Sequence, residues 1–373
     1  MNDRVTMAAV AKRAGVHVTT VSLALRNHPS LPPTTRARIQ TLAKEMGYHP
    51  DPALSSLIAY RTSAKTSQSR HVLAYLTHWP TPWGWKSVPA HPQFYSGAES
   101  KAAKLGYQLE HFWLGEPGLS HQRMSDILHA RGITGLIIAS HVQEADIALQ
   151  FDWSRFSAVK IDHLPHDPEL HFVTNDQRAI AQLAARRVIA AGYRRIGLVL
   201  FEAWNEGVDL AWSGGFLPEQ QKLPPPDRIP PLFFADPQLQ NIVPRDAFET
   251  WFTQHRPEVI IGYGPHVLPR LQAMGLNIPR DVAFVDVLLD DTSGRMAGVR
   301  QNCHRVGELA VEILVGQLQQ HIYGVPSFPT GTMVEGTWFD GDSLPVHNAR
   351  PGLASISEGL HCSAESTVHT AAR

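Results

Sequence analysis

The chain has 373 residues, of which 43% are hydrophobic, so it is long enough for two or three domains with packed interiors. The formal net charge of -1 excludes both a uniformly basic and a uniformly acidic protein. The two cysteines exclude a disulfide-stabilised scaffold and fit a reducing compartment.

The charge is unevenly distributed along the chain. Residues 1–70 contain ten Lys and Arg residues against three acidic residues, so this segment carries +7 and the remainder -8. A compact basic segment on an acidic body is typical of a protein that contacts phosphate groups with one end. A solvated basic surface would give the same balance, so charge alone leaves both interpretations open.

No segment predicts membrane association. The longest apolar stretch, residues 133–139, is far too short to span a bilayer. The N-terminal residues lead straight into a helical pattern without the apolar region of a signal peptide. The sequence therefore predicts a cytoplasmic protein that has no membrane partner.

Residues 6–48 predict three short helices. Thr6 can cap the first helix, and Gly15 supplies the turn to a second helix from about Val18 to Arg26. A third helix is expected over residues 33–47, because proline is favoured at the first position of a helix and glycine after its end. The residues with helical spacing that are expected to face a common core are Val10, Ala11, Ala14, Val21, Ala24, Leu25, Ile39, Leu42, Ala43 and Met46. This spacing is typical of a helix-turn-helix.

Residues 49–70 differ in character from the helices before them. Pro50 and Pro52 interrupt the helical pattern, and residues 53–59 could form two helical turns. Residues 62–69 are polar and lack periodicity. Because two turns cannot hold themselves together in water, the segment predicts a linker that contains a marginal helix.

From residue 71 onward, apolar strand-like runs alternate with helical patterns. Strands are predicted at 72–76, 109–113, 135–139, 159–162, 196–201, 259–261 and 282–287. Helices are predicted at 94–106, 124–131, 180–192 and 306–323. Repeated strand–helix units indicate parallel sheets flanked by helices, in two lobes given the length. Residues 343–373 are polar without a periodic core pattern and are expected to form a disordered tail.

The first part of the chain resembles the DNA-binding head of the lactose/galactose repressor family. The matching positions are 5–16, Thr20-Val21-Ser22, Ala24-Leu25, Asn27, Thr35-Arg36, Gly47-Tyr48, Pro50, Pro52 and Ser56-Leu57. A weaker resemblance continues to about residue 340 through Gly106-Tyr107, Gly135-Leu136-Ile137, Ile161-Asp162, Asp176-Gln177, 192–196, Asp281-Val282, Val299-Arg300-Gln301 and Gly307.

The resemblance implies an α N-terminal helix-turn-helix head followed by an α/β two-lobed core like that of periplasmic binding proteins. The DNA-binding head would occupy residues 1–48 and a hinge helix with linker residues 49–70. A core for effector binding and dimerisation would span residues 71–342, followed by the tail.

The resemblance also assigns residues that contact DNA. In this family the second helix enters the major groove, which here would place at the base edges His17, Val18, Thr19, Thr20 and Leu23. The positions that would contact phosphates are Thr6, Ser22, Asn27 and Tyr48. Ser56 and Leu57 would enter the minor groove. The family usually has Ser at the position of His17 and often Arg at that of Leu23, so Leu23 either packs or contacts a thymine methyl.

The expected effector cleft departs from the family pattern. Its candidate residues are His78, Trp79, Trp83, Trp85, Asp162, Trp212, Tyr263 and Asp286. Trp212 stands where the family often has a ligand-clamping Arg, Tyr263 stands where it has Asn, and Asp286 begins a segment with fewer carboxylates. The three tryptophans of one loop, Trp79, Trp83 and Trp85, could stack on a sugar face or could merely pack. The loss of the Arg favours a neutral sugar or glycoside over an anion.

These observations predict a homodimeric repressor that binds double-stranded operator DNA and responds to a small-molecule effector, which is expected to be a carbohydrate. No cofactor or metal is expected. Although the chain has 20 histidines, none falls in a His-Glu-x-x-His or Cys-x-x-Cys pattern, and no nucleophile elbow appears, so an enzyme is not expected. The alternative is a DNA-binding regulator whose core has lost ligand binding and serves only for dimerisation.

Overall fold

The computed structural model describes residues 5–25, 31–48, 71–141, 148–235 and 242–347. The chain divides between residues 70 and 71 into two compact units. The expected hinge at 49–70, with Ser56 and Leu57, lies outside the described residues, as does Asn27.

The first unit contains the three helices that the sequence predicts, α1 Met7–Ala14, α2 Val18–Leu25 and α3 Pro33–Glu45. Their common core is formed by Val10, Ala11, Ala14, Val21, Ala24, Ile39 and Ala43. The predicted residues Leu25, Leu42 and Met46 pack against this core and are partly buried. The periodicity of three short helices was therefore sufficient to identify which side of each helix is buried.

The second unit is built from twelve strands and eight further helices within the described residues. The strands are β1 His71–His78, β2 Tyr107–Trp113, β3 Gly135–His141, β4 Ser157–Ile161, β5 Phe172–Asn175, β6 Ile196–Phe201, β7 Leu232–Phe234, β8 Val259–Gly262, β9 Ala283–Asp286, β10 Ala297–Arg300, β11 Gly331–Val334 and β12 Thr337–Phe339. The helices are α4 Ala90–Lys104, α5 His121–Ala130, α6 Gln177–Ala190, α7 Glu202–Glu206, α8 Ala211–Gln220, α9 Arg245–His255, α10 Gly264–Ala273 and α11 Cys303–Gln320.

The strands form two six-stranded sheets, one in each lobe. The first sheet has the order β11-β5-β4-β3-β1-β2 and the second has the order β12-β10-β9-β8-β6-β7. The first sheet is parallel throughout, and in the second only the edge strand β12 runs antiparallel to its neighbour among the pairs described. Each sheet has apolar clusters on both faces, which explains why its strands read as continuous hydrophobic runs.

The chain crosses between the lobes three times, at residues 175–176, 301–302 and 335–336. The first crossover leads into α6, which packs in the second lobe, and the second leads into α11, which packs in the first lobe. The Asn302 side-chain amide donates a hydrogen bond to the carbonyl of Glu335 at 2.6 Å, and the Asp176 amide donates to that of Val334 at 2.8 Å. The crossovers are thus bonded to one another.

The end of the described chain corrects one expectation. Residues 343–347 were assigned to a disordered tail, but the Ser343 hydroxyl donates to the carbonyl of Phe284 at 2.7 Å and accepts the amide of Ala297 at 2.8 Å. The imidazole of His347 stacks on Tyr193, with ring centroids 4.7 Å apart. These residues complete the second lobe through polar and aromatic contacts, which apolar periodicity does not reveal. Residues 348–373 lie outside the described part.

Candidate functional site

The N-terminal end of α2 is the exposed surface of the first unit that carries the predicted base-reading residues. His17, Val18 and Thr19 are exposed, and Thr20 is partly exposed. Val18 is 38% exposed. The opposite side of α2 buries Val21 completely. One side of α2, which carries both polar and apolar side chains, therefore faces solvent, and its opposite side is buried in the core.

His17 replaces the serine that would normally cap this helix, and its ring takes over part of that role. Nδ1 of His17 lies 2.9 Å from the hydroxyl of Thr19 and accepts the amide of Thr19 at 3.4 Å. A long contact of this kind satisfies a terminal amide only weakly. The first helix is capped more regularly, since the Thr6 hydroxyl accepts the amide of Ala9 at 3.2 Å. Gly15 ends that helix in the left-handed conformation with φ of 67°.

The remaining head residues have mixed surroundings. Leu23 is partly exposed and is absent from the apolar side chains that pack on the described core of this unit, which favours the DNA-contacting interpretation over the packing one. Tyr48, an expected phosphate contact, is partly buried and packs against that core. Ser22 is partly exposed beside Leu23.

In the second unit, the order of the strands identifies where a ligand can bind. Open parallel sheets bind ligands beyond the carboxyl ends of their strands, at the point where the strand order reverses. In the first lobe this point lies between β1 and β3, and in the second lobe between β6 and β8. The residues at these ends are His78 and His141 in the first lobe, and Glu202 and Tyr263 in the second. Tyr263 and Leu288 from the second lobe belong to the same buried cluster as the first-lobe sheet, so the two edges face each other.

The loop after β1 places its tryptophans in different surroundings. Trp85 is 1% exposed, and its ring packs beside Tyr75 and Tyr95, with centroids 6.1 and 5.6 Å away. Trp83 is 55% exposed, lies 4.7 Å from the ring of His111 and has the ammonium of Lys86 4.2 Å from its centroid. Trp85 is therefore positioned as a packing residue, whereas the Trp83 side chain remains largely exposed beside Lys86 and His111.

Trp79, the first tryptophan of this loop, is partly buried. Its carbonyl accepts the indole N–H of Trp113 at 2.8 Å, which fixes the start of the loop to the end of β2. Its own ring meets His91 edge-on, with centroids 5.9 Å apart. Trp79 is thus held at the cleft edge by neighbours on two elements.

Asp162 follows β4 at the same edge and has an unusual backbone. Its φ is 65°, in the left-handed region that a non-glycine residue enters at a cost of about 1–3 kcal/mol, and such residues cluster at functional sites. Burial raises the pKa of the Asp162 carboxyl to about 6, although the Thr174 hydroxyl donates a 2.6 Å hydrogen bond to it. A carboxyl whose charge is this poorly compensated is suited to accept further hydrogen bonds.

Three histidines meet at the same edge. The ring centroid of His78 lies 5.9 Å from that of His121 and 5.8 Å from that of His141, and both pairs of rings meet edge to face. His78 was predicted from the sequence, whereas His121 and His141 were not. The signal that could have found His141 is its position at the end of a predicted strand next to β1, whereas His121 follows a loop of no recognisable pattern.

The second-lobe edge is mainly aromatic. Trp204, Tyr263 and His266 contact one another, with ring centroids 4.8 to 5.4 Å apart. The two Asp286 carboxylate oxygens accept the amides of Gly264 at 3.0 Å and Leu288 at 2.8 Å. Burial raises the pKa of Asp286 to about 6. Asp286 therefore holds the start of α10 in place, and sequence reasoning missed the contribution of Trp204 and His266.

Trp212 lies apart from these residues. It is 4% exposed within α8 and belongs to the apolar cluster of the second-lobe core. A ring with so little exposed surface favours a packing role, and the position expected to clamp an effector is occupied by a core side chain. The structure thus brings the predicted residues His78, Trp79, Asp162 and Tyr263 to the facing edges and leaves Trp212 in the core.

Neither a metal site nor a membrane span is found within the described ranges. No group of three or more His, Cys, Asp or Glu residues there is arranged to hold a metal ion. No helix of that part combines the length and apolar character that crossing a bilayer requires.

Two family models match the chain. The model described as "Bacterial regulatory proteins, lacI family" matches residues 6–51, which include the three-helix unit. The model described as "Periplasmic binding proteins and sugar binding domain of LacI family" matches residues 78–284, which is more than half of the chain.

Curated relatives match over a shorter stretch. The HTH-type transcriptional regulator Rv3575c of Mycobacterium tuberculosis is 29% identical over 198 residues, which is 52% of each chain. The HTH-type transcriptional regulator CelR of Thermobifida fusca is 24% identical over 201 residues, which is 52% of this chain and 55% of the relative. The chain thus spans about half the length of the curated relatives it matches.

Solved structures share the fold over most of the chain. The structure of the transcriptional regulator CelR–cellobiose complex superposes with a TM-score of 0.57 at 18% identity, covering 91% of this chain and 100% of that one. The lac repressor dimer bound to operator and the anti-inducer ONPF superposes with a TM-score of 0.54 at 17% identity, covering 92% and 100%. At these identities the likeness concerns the fold.

Proposed function

Because this chain belongs to the lacI family of bacterial regulatory proteins, we propose that it is a sequence-specific DNA-binding transcription regulator whose two-lobed core binds a small-molecule effector. The single observation that carries the DNA-binding part is the exposed edge of α2, where His17, Val18 and Thr19 project from a helix whose opposite side is buried. A homodimer would present two such helices to the two halves of a pseudo-palindromic operator. Repression is the expected outcome of binding.

The basic first segment supports the same proposal. Its net charge of +7 favours phosphate contacts, and each contact releases a counterion, so affinity should fall steeply with salt. Base contacts from Val18 and Thr19 would then supply the specificity that phosphate contacts lack.

Selection from a random duplex library with the full-length protein tests this proposal. We expect the enriched sequences to share two inverted half-sites. Thr19→Ala should weaken binding to the selected site by more than its binding to random duplex, whereas Glu45→Ala, an exposed change on α3, should leave sequence preference unchanged. Failure to enrich any duplex, or enrichment that is indifferent to both changes, would contradict the assignment of the head.

For the effector we propose a neutral sugar or glycoside, held between the facing edges of the two lobes. Trp83 offers an exposed aromatic ring, and Asp162 offers a carboxyl that can accept hydroxyl hydrogens. The CelR–cellobiose complex, a structure of similar fold, contains a neutral disaccharide by its description. An anionic effector would instead need a cation at the position that Trp212 occupies.

A core that only dimerises is the alternative, and specific observations favour it. Trp212 is buried in the position expected for a clamp, and both oxygens of Asp286 are engaged by backbone amides. Thermal unfolding in the presence of glucose, cellobiose, lactose and glucose 6-phosphate separates the two functions, because a ligand that binds only the folded state raises its stability. A concentration-dependent rise with a neutral sugar supports the effector function, and the absence of any rise supports the dimerisation scaffold.

A further inference from the structure

His78, His121 and His141 come from three separate elements of the first lobe. His78 ends β1 and His141 ends β3, and the two residues are partners in the register of these neighbouring strands. His121 begins α5, the helix that precedes β3. The three rings therefore lie at the reversal point of the strand order, where the ends of β1 and β3 diverge and a ligand can approach.

The hydrogen bond of His141 determines which of its nitrogens carries a proton. Nδ1 of His141 lies 3.2 Å from the carbonyl oxygen of Ala139, and because a carbonyl can only accept, Nδ1 must be the protonated nitrogen. In a neutral ring Nε2 is then a pure acceptor. His141 is 8% exposed, and its Nε2 is buried without a hydrogen-bond partner among the described residues. A buried acceptor of this kind is destabilising unless something else donates to it.

The surroundings keep the cluster neutral. Burial lowers the pKa of His141 to about 3, and the neighbouring His78 and His121 and the ammonium of Lys160 act in the same direction. Burial also lowers the pKa of His78 and of His121, although a backbone hydrogen bond to Ala148 opposes the shift of His121. Nδ1 of His78 is a second buried ring nitrogen that lacks a partner in the described part of the chain.

We propose that His78, His121 and His141 form a hydrogen-bond-accepting subsite of the effector cleft, in which Nε2 of His141 binds a hydroxyl group of the effector. The inference rests on the proposed effector function and adds the residues that bind the ligand by hydrogen bonds. A hydroxyl both donates to the ring nitrogen and carries no charge. A phosphate or carboxylate offers no proton to Nε2.

A metal ion fits this cluster less well than a hydroxyl does. The rings of His121 and His141 meet that of His78 edge to face, at 86° and 87°. Within the described residues, no cluster including these histidines has metal-binding geometry. Lys160 adds a positive charge near His141, which further disfavours a cation.

The matched variants for a test are His141→Asn and His129→Gln. Asparagine can keep a donor near the position of Nδ1, and with it the bond to Ala139, while it removes Nε2. His129 is exposed on α5, the helix that begins with His121, so its replacement controls for the loss of a histidine. His78→Asn is a second variant at a partly exposed position, in case His141→Asn does not fold.

Calorimetric titration of the full-length proteins with glucose, cellobiose, lactose and glucose 6-phosphate measures the affinity of the wild type and of each variant. We expect a neutral sugar to bind the wild type equally at pH 7 and pH 8, because the histidine acceptor stays unprotonated and the Asp162 carboxyl stays mostly ionised over this range. His141→Asn should weaken that binding by about tenfold or more, the loss of one hydrogen bond, whereas His129→Gln should not change it. In the wild type, the signal of a neutral histidine ring nitrogen should shift when the sugar is added.

The outcomes distinguish the two proposals. If no sugar binds the wild type, the effector function fails and the subsite fails with it. If a neutral sugar binds but its affinity is unchanged by His141→Asn and His78→Asn, the effector function stands and the histidine subsite is wrong. Preferential binding of glucose 6-phosphate that is equally strong in wild type, His141→Asn and His78→Asn would also overturn the subsite, because none of its hydroxyl groups would then donate to these histidines.

Discussion

Gly307 is where the packing of the first lobe is most sensitive to a single added carbon. It lies on α11, which packs against α4 so closely that a Cβ at position 307 would stand 2.0 Å from the carbonyl oxygen of Phe94 and 2.7 Å from the amide nitrogen of Ala98. The contact is reciprocal, since a Cβ at Gly97 would stand 1.9 Å from the carbonyl oxygen of His304. Glycine at both positions allows the two backbones to touch.

The size of the effect of Gly307→Ala follows from these distances. Real Cβ atoms are essentially never found closer than 3.0 Å to another heavy atom, so the two helices must separate by at least about 1 Å. The nearest atoms belong to the backbone and cannot rotate away. Overpacking of this kind costs about 1–3 kcal/mol, which exceeds the gain of up to about 1 kcal/mol from placing alanine rather than glycine in a helix. We therefore expect a net loss of folding stability.

Gly316→Ala on the same helix is the matched control. A Cβ at Gly316 meets nothing within 4 Å, so this change should stabilise the protein by about 0.5–1 kcal/mol through helix propensity alone. Urea unfolding followed by tryptophan fluorescence should thus give midpoints in the order Gly316→Ala, wild type, Gly307→Ala. If Gly307→Ala were as stable as Gly316→Ala, the close contact between α4 and α11 would not exist in solution.

Further changes separate packing from recognition. Trp85→Ala should destabilise the fold by about 3–5 kcal/mol because the ring is 1% exposed, whereas Trp83→Ala, at a ring 55% exposed, should change stability by less than about 0.5 kcal/mol in thermal unfolding; equal effects would contradict the two assignments. Burial holds the pKa of His141 at about 3, so below pH 6.5 the unfolded chain binds the additional proton and stability is lost as the pH falls. His141→Asn should reduce the slope of the unfolding free energy between pH 4 and 6 by up to about 1.4 kcal/mol per pH unit, and a slope equal to that of the wild type would contradict the burial of His141. From the family resemblance, Leu57→Ala should weaken operator binding by about 1–3 kcal/mol in anisotropy titrations without changing core stability, and an unchanged affinity would remove Leu57 from the mechanism.

The helices and strands with the strongest periodicity were predictable from the sequence. The three helices of the first unit and the strand at 196–201 were identified with nearly their observed bounds, because each combines a clear apolar spacing with a turn residue or a change of pattern at its ends. Gly307 was singled out from the sequence only as part of the family resemblance. The structure supplies the physical reason for a glycine at this position.

Elements with weaker patterns were missed. β7, β11 and β12 have three or four residues each, too few for a periodicity to stand out. The helix α8 contains Pro218 and two adjacent glycines, and α10 contains Pro269, which sequence reasoning associates with breaks rather than helices. Surrounding contacts in the second lobe override these local preferences.

The residues of the candidate site also divide into those that could be predicted from the sequence and those that could not. Residues that follow predicted strands, such as His78 and Asp162, could be placed at the sheet edge from the sequence because strand ends and their order are local properties. Which tryptophan of the loop after β1 is buried could not be read from the chain, since that depends on Tyr75 and Tyr95 from two other elements. The same limit applies to Trp212, whose burial in the core follows from the packing of α8.

The chemistry of the cleft follows from what surrounds its polar groups. Asp162 has its pKa raised by burial, and His141 has its pKa lowered by burial, so both shifts move these groups toward their neutral forms. A ligand carrying a full charge would have to be stabilised by groups that themselves resist ionisation. A neutral ligand with several hydroxyls meets no such cost, because each hydroxyl can donate to a carboxyl or imidazole acceptor while its apolar face lies on an aromatic ring. The same burial that makes these groups costly to leave unpaired therefore favours a neutral polyhydroxylated ligand.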